Sequence, residues 1–351
     1  MPCALIAAVT VGDIVAPPDV HLGPFLVAAP AITASFAGPW LTSVVGVAAV
    51  VAQVAVAAAR TTVTDLNHMS QIIALCLISA IATLFAHRRK RHTAEMVQLR
   101  SVAEAAQLGV LRPLPARSGP LRLATVYMAA QEGAQLGGDL YAAARTADGT
   151  RLIIGDVRGK GLDAISSAAG VLGAFRALAR QEEGLPALVA RLETSVAAHQ
   201  IDSLQEEADE NIAEGFVTAA VLDIPDAAPV LRLVSCGHPP PLILRGGQVY
   251  SLDVTEPVPP LGIGQLAVGH VAQDEFRFDA GDLLLLYTDG VTEARDGAGA
   301  FYPLADRVAA LSGENPEALL RHLRADLLRH AGGHLGDDAA LVAIERLPAT
   351  G

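Results

Sequence analysis

The chain has 351 residues, of which 18% are charged and 52% apolar, and its formal net charge is −12. The charge is uneven, because residues 1–92 hold five basic and three acidic side chains, a net charge of +2, which leaves −14 for the rest. Such an acidic body excludes nucleic acid as the main partner, since binding there depends on neutralising phosphates with Lys and Arg. The three cysteines are far apart in sequence and form no CxxC pair, which argues against a disulfide framework or a zinc site.

The first 92 residues are predicted to form a membrane region. Three uncharged apolar stretches, residues 22–38, 41–59 and 70–86, approach the length needed to cross a hydrocarbon core of about 30 Å. The first stretch contains two prolines, which membrane helices tolerate better than soluble helices do. We therefore expect about three transmembrane helices and a lipid bilayer as a partner.

The direction of insertion follows from a basic run. Residues 87–92 read His-Arg-Arg-Lys-Arg-His and come directly after the last apolar stretch. The positive-inside bias places this run, and everything after it, in the cytoplasm. A further apolar stretch, Ala4–Val15, is shorter and contains Asp13, so three spans are favoured over four. The expected location is the cell membrane, multi-pass, with the C-terminal part cytoplasmic.

Residues 93–112 are predicted to form a connector helix between the membrane region and a domain at residues 113–351. Its apolar residues are spaced alternately three and four apart, a short heptad stripe made of Met96, Leu99, Ala103, Ala106 and Val110. The stripe is equally compatible with a dimerising coiled coil and with an amphipathic helix that lies on its own domain. A homodimer through this helix is therefore one of two interpretations.

The remainder of the chain has an α+β pattern. Period-two and continuous apolar runs predict strands at 121–130, 140–146, 151–157, 216–224, 230–235, 242–245, 248–252, 283–287 and 339–345. Period-3.6 runs predict helices at 162–180, 185–200, 303–311 and 316–330, and the acidic segment 202–214 is predicted to be an exposed loop. Strands interleaved with helix pairs indicate antiparallel sheets covered by helices.

Four aspartates lie beside glycine at the ends of predicted strands. They are Asp139, Asp156, Asp289 and Asp337, and the last is followed by Asp338. A glycine neighbour allows a carboxylate to face a shared point without crowding. Carboxylates that converge repel one another and are stabilised by a hard cation between them. The pattern therefore predicts a divalent-metal site.

The order and spacing of seven motifs carry a family resemblance. These motifs are GGDLY at 137–141, GDVRGKG at 155–161, FVTAA at 216–220, CGHPPPLIL at 236–244, PPLGIG at 259–264, GDLLLLYTDGVTEARD at 281–296 and GDDAALV at 336–342. Residues 121–347 thereby resemble the metal-dependent protein phosphatase (PPM) family, and within it the bacterial sporulation-phosphatase branch that acts on regulators of alternative sigma factors. The resemblance implies a four-layer α-β-β-α sandwich with a pair of metal ions at one edge.

The resemblance also assigns roles to residues. It implies that Asp139 and Asp156 hold two Mn²⁺ or Mg²⁺ ions and a bridging water, and that the backbone carbonyl of Val157 completes one site. It implies that Asp289 and Asp337 bind the other ion. The activity implied is a protein-serine/threonine phosphatase that hydrolyses phosphoserine or phosphothreonine on a regulatory protein of the anti-sigma-factor antagonist type.

Three residues depart from the family pattern or allow two interpretations. Arg158 occupies a position where many eukaryotic members have a histidine proposed as general acid. Because arginine does not give up its proton at neutral pH, either metal-bound water protonates the leaving serine or Arg158 only steadies the phosphate. His238 lies in a rigid Gly-His-Pro-Pro-Pro turn, which favours a structural role over a catalytic one. Asp338 matches a position that is not a metal ligand in the family, although it could assist.

A second function is compatible with the sequence. A pseudophosphatase would keep the fold and serve as a membrane-tethered binding module. Retention of Asp139, Asp156, Asp289 and Asp337 favours an enzyme, because inactive copies usually lose a ligand. A transporter or a purely sensory membrane protein is excluded by the size and motif density of residues 121–347.

Overall fold

A computed structural model describes residues 2–17, 22–59, 66–130, 137–206, 215–263 and 271–348. Within the helices, the side chains of residues 66–68, 94–108, 110, 199 and 201–206 are not described. The chain divides into two compact units, Met1–Ser101 and Val102–Gly351.

The N-terminal unit is helical. Its elements are α1 (Pro2–Val15), a 3₁₀ helix (Gly23–Val27) that leads into α2 (Ala28–Phe36), α3 (Pro39–Ala59) and α4 (Leu66–Val110). Among the described residues, two helical segments are long and apolar enough to cross a membrane, Pro39–Ala59 and Met69–Thr93. They contain two of the three predicted spans, 41–59 and 70–86.

The third predicted span, residues 22–38, forms a shorter helical segment. It is apolar from Gly23 to Phe36, but the 3₁₀ turn and nine-residue α2 together rise only about 24 Å. The helix ends because Ala37 is extended and Pro39 begins α3, a position where proline is favoured. Crossing of the membrane by residues 22–38 stays a prediction.

The predicted connector is not a separate helix. α4 continues without a break from the apolar segment through the basic run to Val110, since the charged residues after residue 86 are good helix formers. It ends shortly before Pro113, as predicted. The side chains of the heptad stripe lie outside the described residues, so a dimer through this helix stays a prediction.

The strands belong to the C-terminal unit. They are β1 (Arg117–Ser118), β2 (Leu121–Met128), β3 (Leu140–Arg145), β4 (Gly149–Val157), β5 (Val217–Pro225), β6 (Val230–Cys236), β7 (Leu242–Arg245), β8 (Gln248–Ser251), β9 (Asp274–Arg277), β10 (Leu283–Tyr287) and β11 (Ala339–Arg346). In the part of the chain that is described, they form a six-stranded sheet of order β1-β2-β11-β10-β7-β8 and a five-stranded sheet of order β3-β4-β5-β6-β9. All strand pairs within these two sheets are antiparallel.

Helices cover the outer face of each sheet. They are α5 (Leu162–Leu178), α6 (Leu185–Glu206), a single turn α7 (Asp289–Thr292), α8 (Leu304–Ala310) and α9 (Pro316–His330). α5 and α6 pack on the five-stranded sheet, and α8 and α9 pack on the six-stranded sheet.

Strand β10 shows how the layers are built. Leu284 and Leu286 belong to the core between the two sheets, whereas Leu283 and Leu285 belong to the core under α8 and α9. A strand buried on both faces needs an uninterrupted apolar run, and Leu283–Tyr287 provides one. The predicted α+β class and four-layer α-β-β-α sandwich are confirmed.

Some elements differ from the sequence prediction. The pattern did not predict β9, because its alternate residues are exposed and charged at the edge of a sheet. Helix α6 runs to Glu206, so the acidic segment predicted as a loop begins inside the helix. Residues 207–214 of that segment lie outside the described residues.

Candidate metal centre

Strand pairing brings the four predicted aspartates to one edge of the sandwich. Asp139 directly precedes β3 and Asp156 is near the end of β4, and these strands pair so that Leu140 lies opposite Gly155. Asp289 follows β10 and Asp337 precedes β11, which pair so that Tyr287 lies opposite Leu341. Each sheet therefore contributes one pair of carboxylates.

The carboxylates are close enough to affect one another's ionisation. Burial, and then the charge of Asp156, raises the pKa of Asp139 well above its usual value. Burial, followed by the charges of Asp289 and Asp337, raises the pKa of Asp156 to about 7. Burial also raises the pKa of Asp289, with Glu293 and Asp337 adding to it. The edge is a site of concentrated negative charge that opposes its own ionisation.

Thr288 connects the two pairs. Its side chain is fully buried, and its hydroxyl donates a hydrogen bond of 2.8 Å to Oδ2 of Asp139 in the other sheet. The Thr288 hydroxyl oxygen also accepts a 2.9 Å hydrogen bond from the backbone N–H of Ala340 in β11. Thr288 therefore fixes Asp139 against the six-stranded sheet. The sequence placed this threonine inside a motif but gave no sign of its role, which depends on contacts distant along the chain.

Lys160 forms an ion pair with one of the four carboxylates. Nζ of Lys160 lies 3.1 Å from Oδ2 of Asp337. In the described part of the chain, no three His, Cys, Asp or Glu side chains gather closely enough around one point to hold an ion. The four predicted ligands are thus brought to one edge without converging on a common centre, and their coordination of metal stays a prediction.

The chemistry of the donor set fits a hard divalent cation. The aspartates offer only oxygen donors, which Mg²⁺ and Mn²⁺ prefer. Asp139 is 3% exposed. A buried carboxylate beside other negative charges would be stabilised by a cation of charge +2.

Asp338 has a positioning role. Its carboxylate accepts hydrogen bonds from the Tyr127 hydroxyl and from the backbone N–H groups of Ala130, at 2.7 Å, and Gly137, at 2.9 Å. It thereby ties the end of β2 and the loop before Asp139 to the start of β11. Tyr127 was missed by sequence reasoning, since it lies 211 positions away from Asp338.

Two glycines permit the close approaches that bring the motifs together. A Cβ atom at Gly290 would lie 1.8 Å from the carbonyl oxygen of Asp338, and one at Gly138 would lie 2.6 Å from that of Val157. Both positions require glycine because a side chain would collide with backbone. The glycines beside Asp139 and Asp289 therefore have a physical reason beyond the turn.

Comparison with known proteins identifies the family. Residues 146–347 match the sequence profile of the family described as stage II sporulation protein E. The chain belongs to the SpoIIE family. Solved structures that resemble it include PP2C phosphatase domains, so the fold is that of a PP2C-type phosphatase.

Three relatives define the extent of the likeness. The RsbU and RsbW domains of a Mycobacterium tuberculosis protein are 24% identical, with a TM-score of 0.56, over 69% of this chain and 64% of that one. The SiaA-PP2C domain of Pseudomonas aeruginosa is 17% identical, with a TM-score of 0.56, over 73% of this chain and 98% of that one. Protein IcfG of Synechocystis is 29% identical over 33% of this chain, and the match spans only 18% of IcfG.

Arg158 lies at the rim of the SpoIIE-family site. Its guanidinium is exposed and stands 5.0 Å from the centre of the Phe216 ring, while its backbone N–H donates to the Phe216 carbonyl at 2.8 Å. Stacking on an aromatic ring leaves the guanidinium edge available for an anion. A contact between Arg158 and the substrate phosphate stays a prediction.

His238 joins the two sheets behind the carboxylates. Its ring is buried, with Nε2 3.1 Å from the carbonyl oxygen of Tyr287 and Nδ1 3.1 Å from Oγ1 of Thr218. Burial lowers the pKa of His238 to about 4, so the ring is neutral at pH 7. Nε2 therefore carries the proton and donates to Tyr287, while Nδ1 accepts from Thr218. Thr218 lies opposite Asp156 in the sheet, so this bridge supports the strand ends that present Asp156 and Asp289.

We expect His238→Ala to destabilise the protein by about 2–4 kcal/mol, since it leaves a cavity and removes both hydrogen bonds of the ring. Activity should fall far less than in an aspartate variant. Because the folded-state pKa of His238 is below its usual 6.5, wild type should lose stability as pH falls from 6.5 to about 4, and the variant should lack that component. Thermal unfolding across this range measures both effects. A variant as stable as wild type would contradict the bridging role.

Proposed function

We propose that this SpoIIE-family chain is a membrane-anchored, metal-dependent serine/threonine phosphatase. The observation that carries the proposal is the gathering of Asp139, Asp156, Asp289 and Asp337 at one edge of a PP2C-type sandwich, where burial and the neighbouring carboxylates raise the pKa values of Asp139, Asp156 and Asp289. A purely structural edge would gain nothing from a buried Asp139 beside a half-buried Asp156 of the same charge. Such a cluster suits the handling of a divalent ion and a phosphoryl group.

The proposed roles rest on the family resemblance and are compatible with the position of these residues at one edge of the sandwich. Asp139, Asp156 and the Val157 carbonyl would hold one side of a two-ion centre, and Asp289 and Asp337 the other. Two Mn²⁺ or Mg²⁺ ions would supply charge neutralisation for the phosphoryl oxygens and a more acidic water. Thr288 holds Asp139 in place, because its hydroxyl is itself fixed by β11.

The cations around the site have separate tasks. Arg158, stacked on Phe216, would orient the phosphate from the rim. It cannot act as the acid for the leaving serine, since guanidinium does not release its proton at neutral pH. Lys160, which is half-exposed and paired with Asp337, balances the charge of that carboxylate.

The alternative is a pseudophosphatase that binds a partner without turnover. One observation favours it: within the described residues the carboxylate oxygens do not surround a common point. Measuring hydrolysis of a phosphorylated substrate distinguishes the two functions directly.

The test is hydrolysis of a phosphoserine peptide by the full-length protein in detergent with Mn²⁺. We expect steady phosphate release by wild type and by Asp306→Asn, a matched change at an exposed aspartate of α8. Asp289→Asn should turn over the peptide about 10³-fold more slowly than wild type, or more slowly still. Absence of turnover by folded wild-type protein would contradict the phosphatase and support the binding module.

The proposed location is the cell membrane, with the catalytic unit in the cytoplasm. Two helical segments long and apolar enough to cross a bilayer, and the basic run at the end of the second, support it. A reporter fused after His92 should be active inside the cell, and activity only outside would refute the orientation. The proposed substrate is a phosphorylated regulator of the anti-sigma-factor antagonist type, which rests on the family alone. Comparison of phosphoproteins with and without the chain would test it.

A further inference from the structure

A second concave site lies away from the carboxylate edge. A pocket of about 350 Å³ opens beside β3, the edge strand of the five-stranded sheet. Its walls are residues 112–115, which follow α4, and the end of α5, while residues 142–144 of β3 form its floor. Of the residues that the structure describes, three arginines line it, Arg112, Arg176 and Arg180, and no acidic residue does.

The charge of this pocket is opposite to that of its surroundings. The chain after residue 92 carries a net charge of −14, yet three guanidinium groups from two separate elements meet here. Arg176 lies in the last turn of α5 and Arg180 lies just beyond its end, and both line the pocket. The helix dipole favours positive charge at this end of α5, and Arg112 adds a third charge from another element. Burial, and then the charge of Arg112, lowers the pKa of Arg176.

Many arginines elsewhere in the C-terminal unit have acidic partners. Ion pairs link Arg122 to Glu345, Arg145 to Asp226, Arg151 to Asp223, Arg245 to Asp282 and Arg307 to Asp326. By contrast, Arg112 and Arg180 form no ion pair with any described carboxylate, although Nε of Arg180 donates to the Arg145 carbonyl at 3.3 Å. Positive charge is therefore available to a ligand.

The floor of the pocket is an edge strand. Among the described strands β3 pairs with β4 alone, so the backbone groups on its other side are not used by the sheet. The segment opposite contains Pro113 and Pro115, which have no N–H to contribute. Guanidinium groups, an edge strand and small apolar side chains thus border one space.

We propose that this pocket binds a nucleotide-sized phosphate ester. Guanidinium forks match the geometry of phosphate oxygens, and a dianion balances the charges of Arg112 and Arg180 more fully than a carboxylate does. The volume lies at the lower end of the range for small-molecule sites. The alanines of β3 and the Pro-Leu-Pro segment offer an apolar surface for the remainder of the ligand.

Binding to the full-length protein in detergent tests the proposal. Isothermal titration would use inorganic phosphate, nucleoside monophosphates and nucleoside diphosphates, all in excess EDTA so that the carboxylate edge holds no divalent ion. At least one nucleotide should bind saturably with a Kd of about 1 mM or tighter. The double variant Arg112→Gln/Arg180→Gln should weaken binding by about 10-fold or more, since charge-assisted hydrogen bonds are lost. The matched control is Arg321→Gln, at an exposed arginine of α9, which should bind as wild type does.

Any other outcome would overturn the proposal. Absence of saturable nucleotide binding, or binding equal in the double variant, would show that the pocket is not the site. Two further titrations of the same protein use short-chain phosphatidic acid and an acidic peptide without phosphate. Arginine-dependent binding of either one, with none of the nucleotides, would assign the pocket to a lipid head group or a protein partner instead. Because EDTA is present throughout, these results do not depend on phosphatase activity.

Discussion

Asp156→Asn is expected to lower turnover of a phosphoserine peptide by roughly 10³-fold or more, the scale of losing one essential electrostatic contact in a reaction centre. Asparagine keeps the shape of the side chain but removes the negative charge that would hold a divalent ion. Asp156 is central to the site because its pKa responds to Asp289 and Asp337 in the other sheet. Initial rates with Mn²⁺ measure the effect, with Asp306→Asn as the matched control.

Asp156→Asn is also expected to be more stable than wild type when metal is chelated. The folded-state pKa of Asp156 is raised from 3.8 to about 7, so ionisation opposes folding. This cost is absent below pH 4, grows as pH rises towards 7 and is complete above it. The shift corresponds to up to about 4 kcal/mol at pH 8. Thermal unfolding in EDTA should therefore show a higher Tm for Asp156→Asn at pH 8 and little difference at pH 4.

Loss of activity together with loss of stability at pH 8 would contradict this account. It would mean that Asp156 supports the fold rather than the chemistry. Activity within a few fold of wild type would remove Asp156 from the proposed centre.

Chelation is expected to abolish turnover and to lower the Tm of the wild-type protein. Without a cation the clustered carboxylates repel, and an ion that binds only the folded state stabilises it by mass action. Mn²⁺ at about 100 times its Kd should add about 2.7 kcal/mol to the free energy of unfolding. The measurement is thermal unfolding and phosphate release on the same EDTA-treated sample before and after Mn²⁺ is restored.

Asp289→Asn serves as the comparison for the metal effect. Its Tm should respond much less to Mn²⁺, while Asp306→Asn should respond as wild type does. Turnover at the full rate in excess EDTA would sink the two-metal mechanism whatever the Tm shows.

Local patterns predicted the elements that local physics determines. β10 was predicted because five consecutive apolar residues leave no polar face, and α9 because its apolar residues recur with a helical period. The Asn315 side chain accepts from the backbone N–H of Ala318 at 2.9 Å, an ordinary helix cap. Such signals lie within a few residues of the element that they define.

The motifs also predicted which carboxylates the fold assembles. Their placement at strand ends was sufficient, because antiparallel pairing brings the end of one strand beside the start of the next. Asp139 and Asp156 meet in this way through the β3–β4 hairpin, and Asp289 and Asp337 through β10 and β11.

The supporting contacts could not be predicted, because they join residues far apart in sequence. Thr288 and Asp139 are 149 positions apart, and Lys160 and Asp337 are 177 apart. The arginine pocket likewise combines residues 112–115 with β3 and α5. The uninterrupted α4 was missed for a different reason: the change from apolar to charged residues at position 87 alters the surroundings of the helix but not its backbone.

The measurement that tests the central claim most directly is the number of Mn²⁺ ions bound per chain. Equilibrium dialysis of EDTA-treated full-length protein against Mn²⁺, followed by metal analysis, would compare wild type with Asp156→Asn and Asp306→Asn. We predict two ions in wild type and in Asp306→Asn, and a clear loss in Asp156→Asn. Wild-type protein that binds no Mn²⁺, or Asp156→Asn protein that binds as much as wild type, would contradict the assignment of this edge as a metal centre.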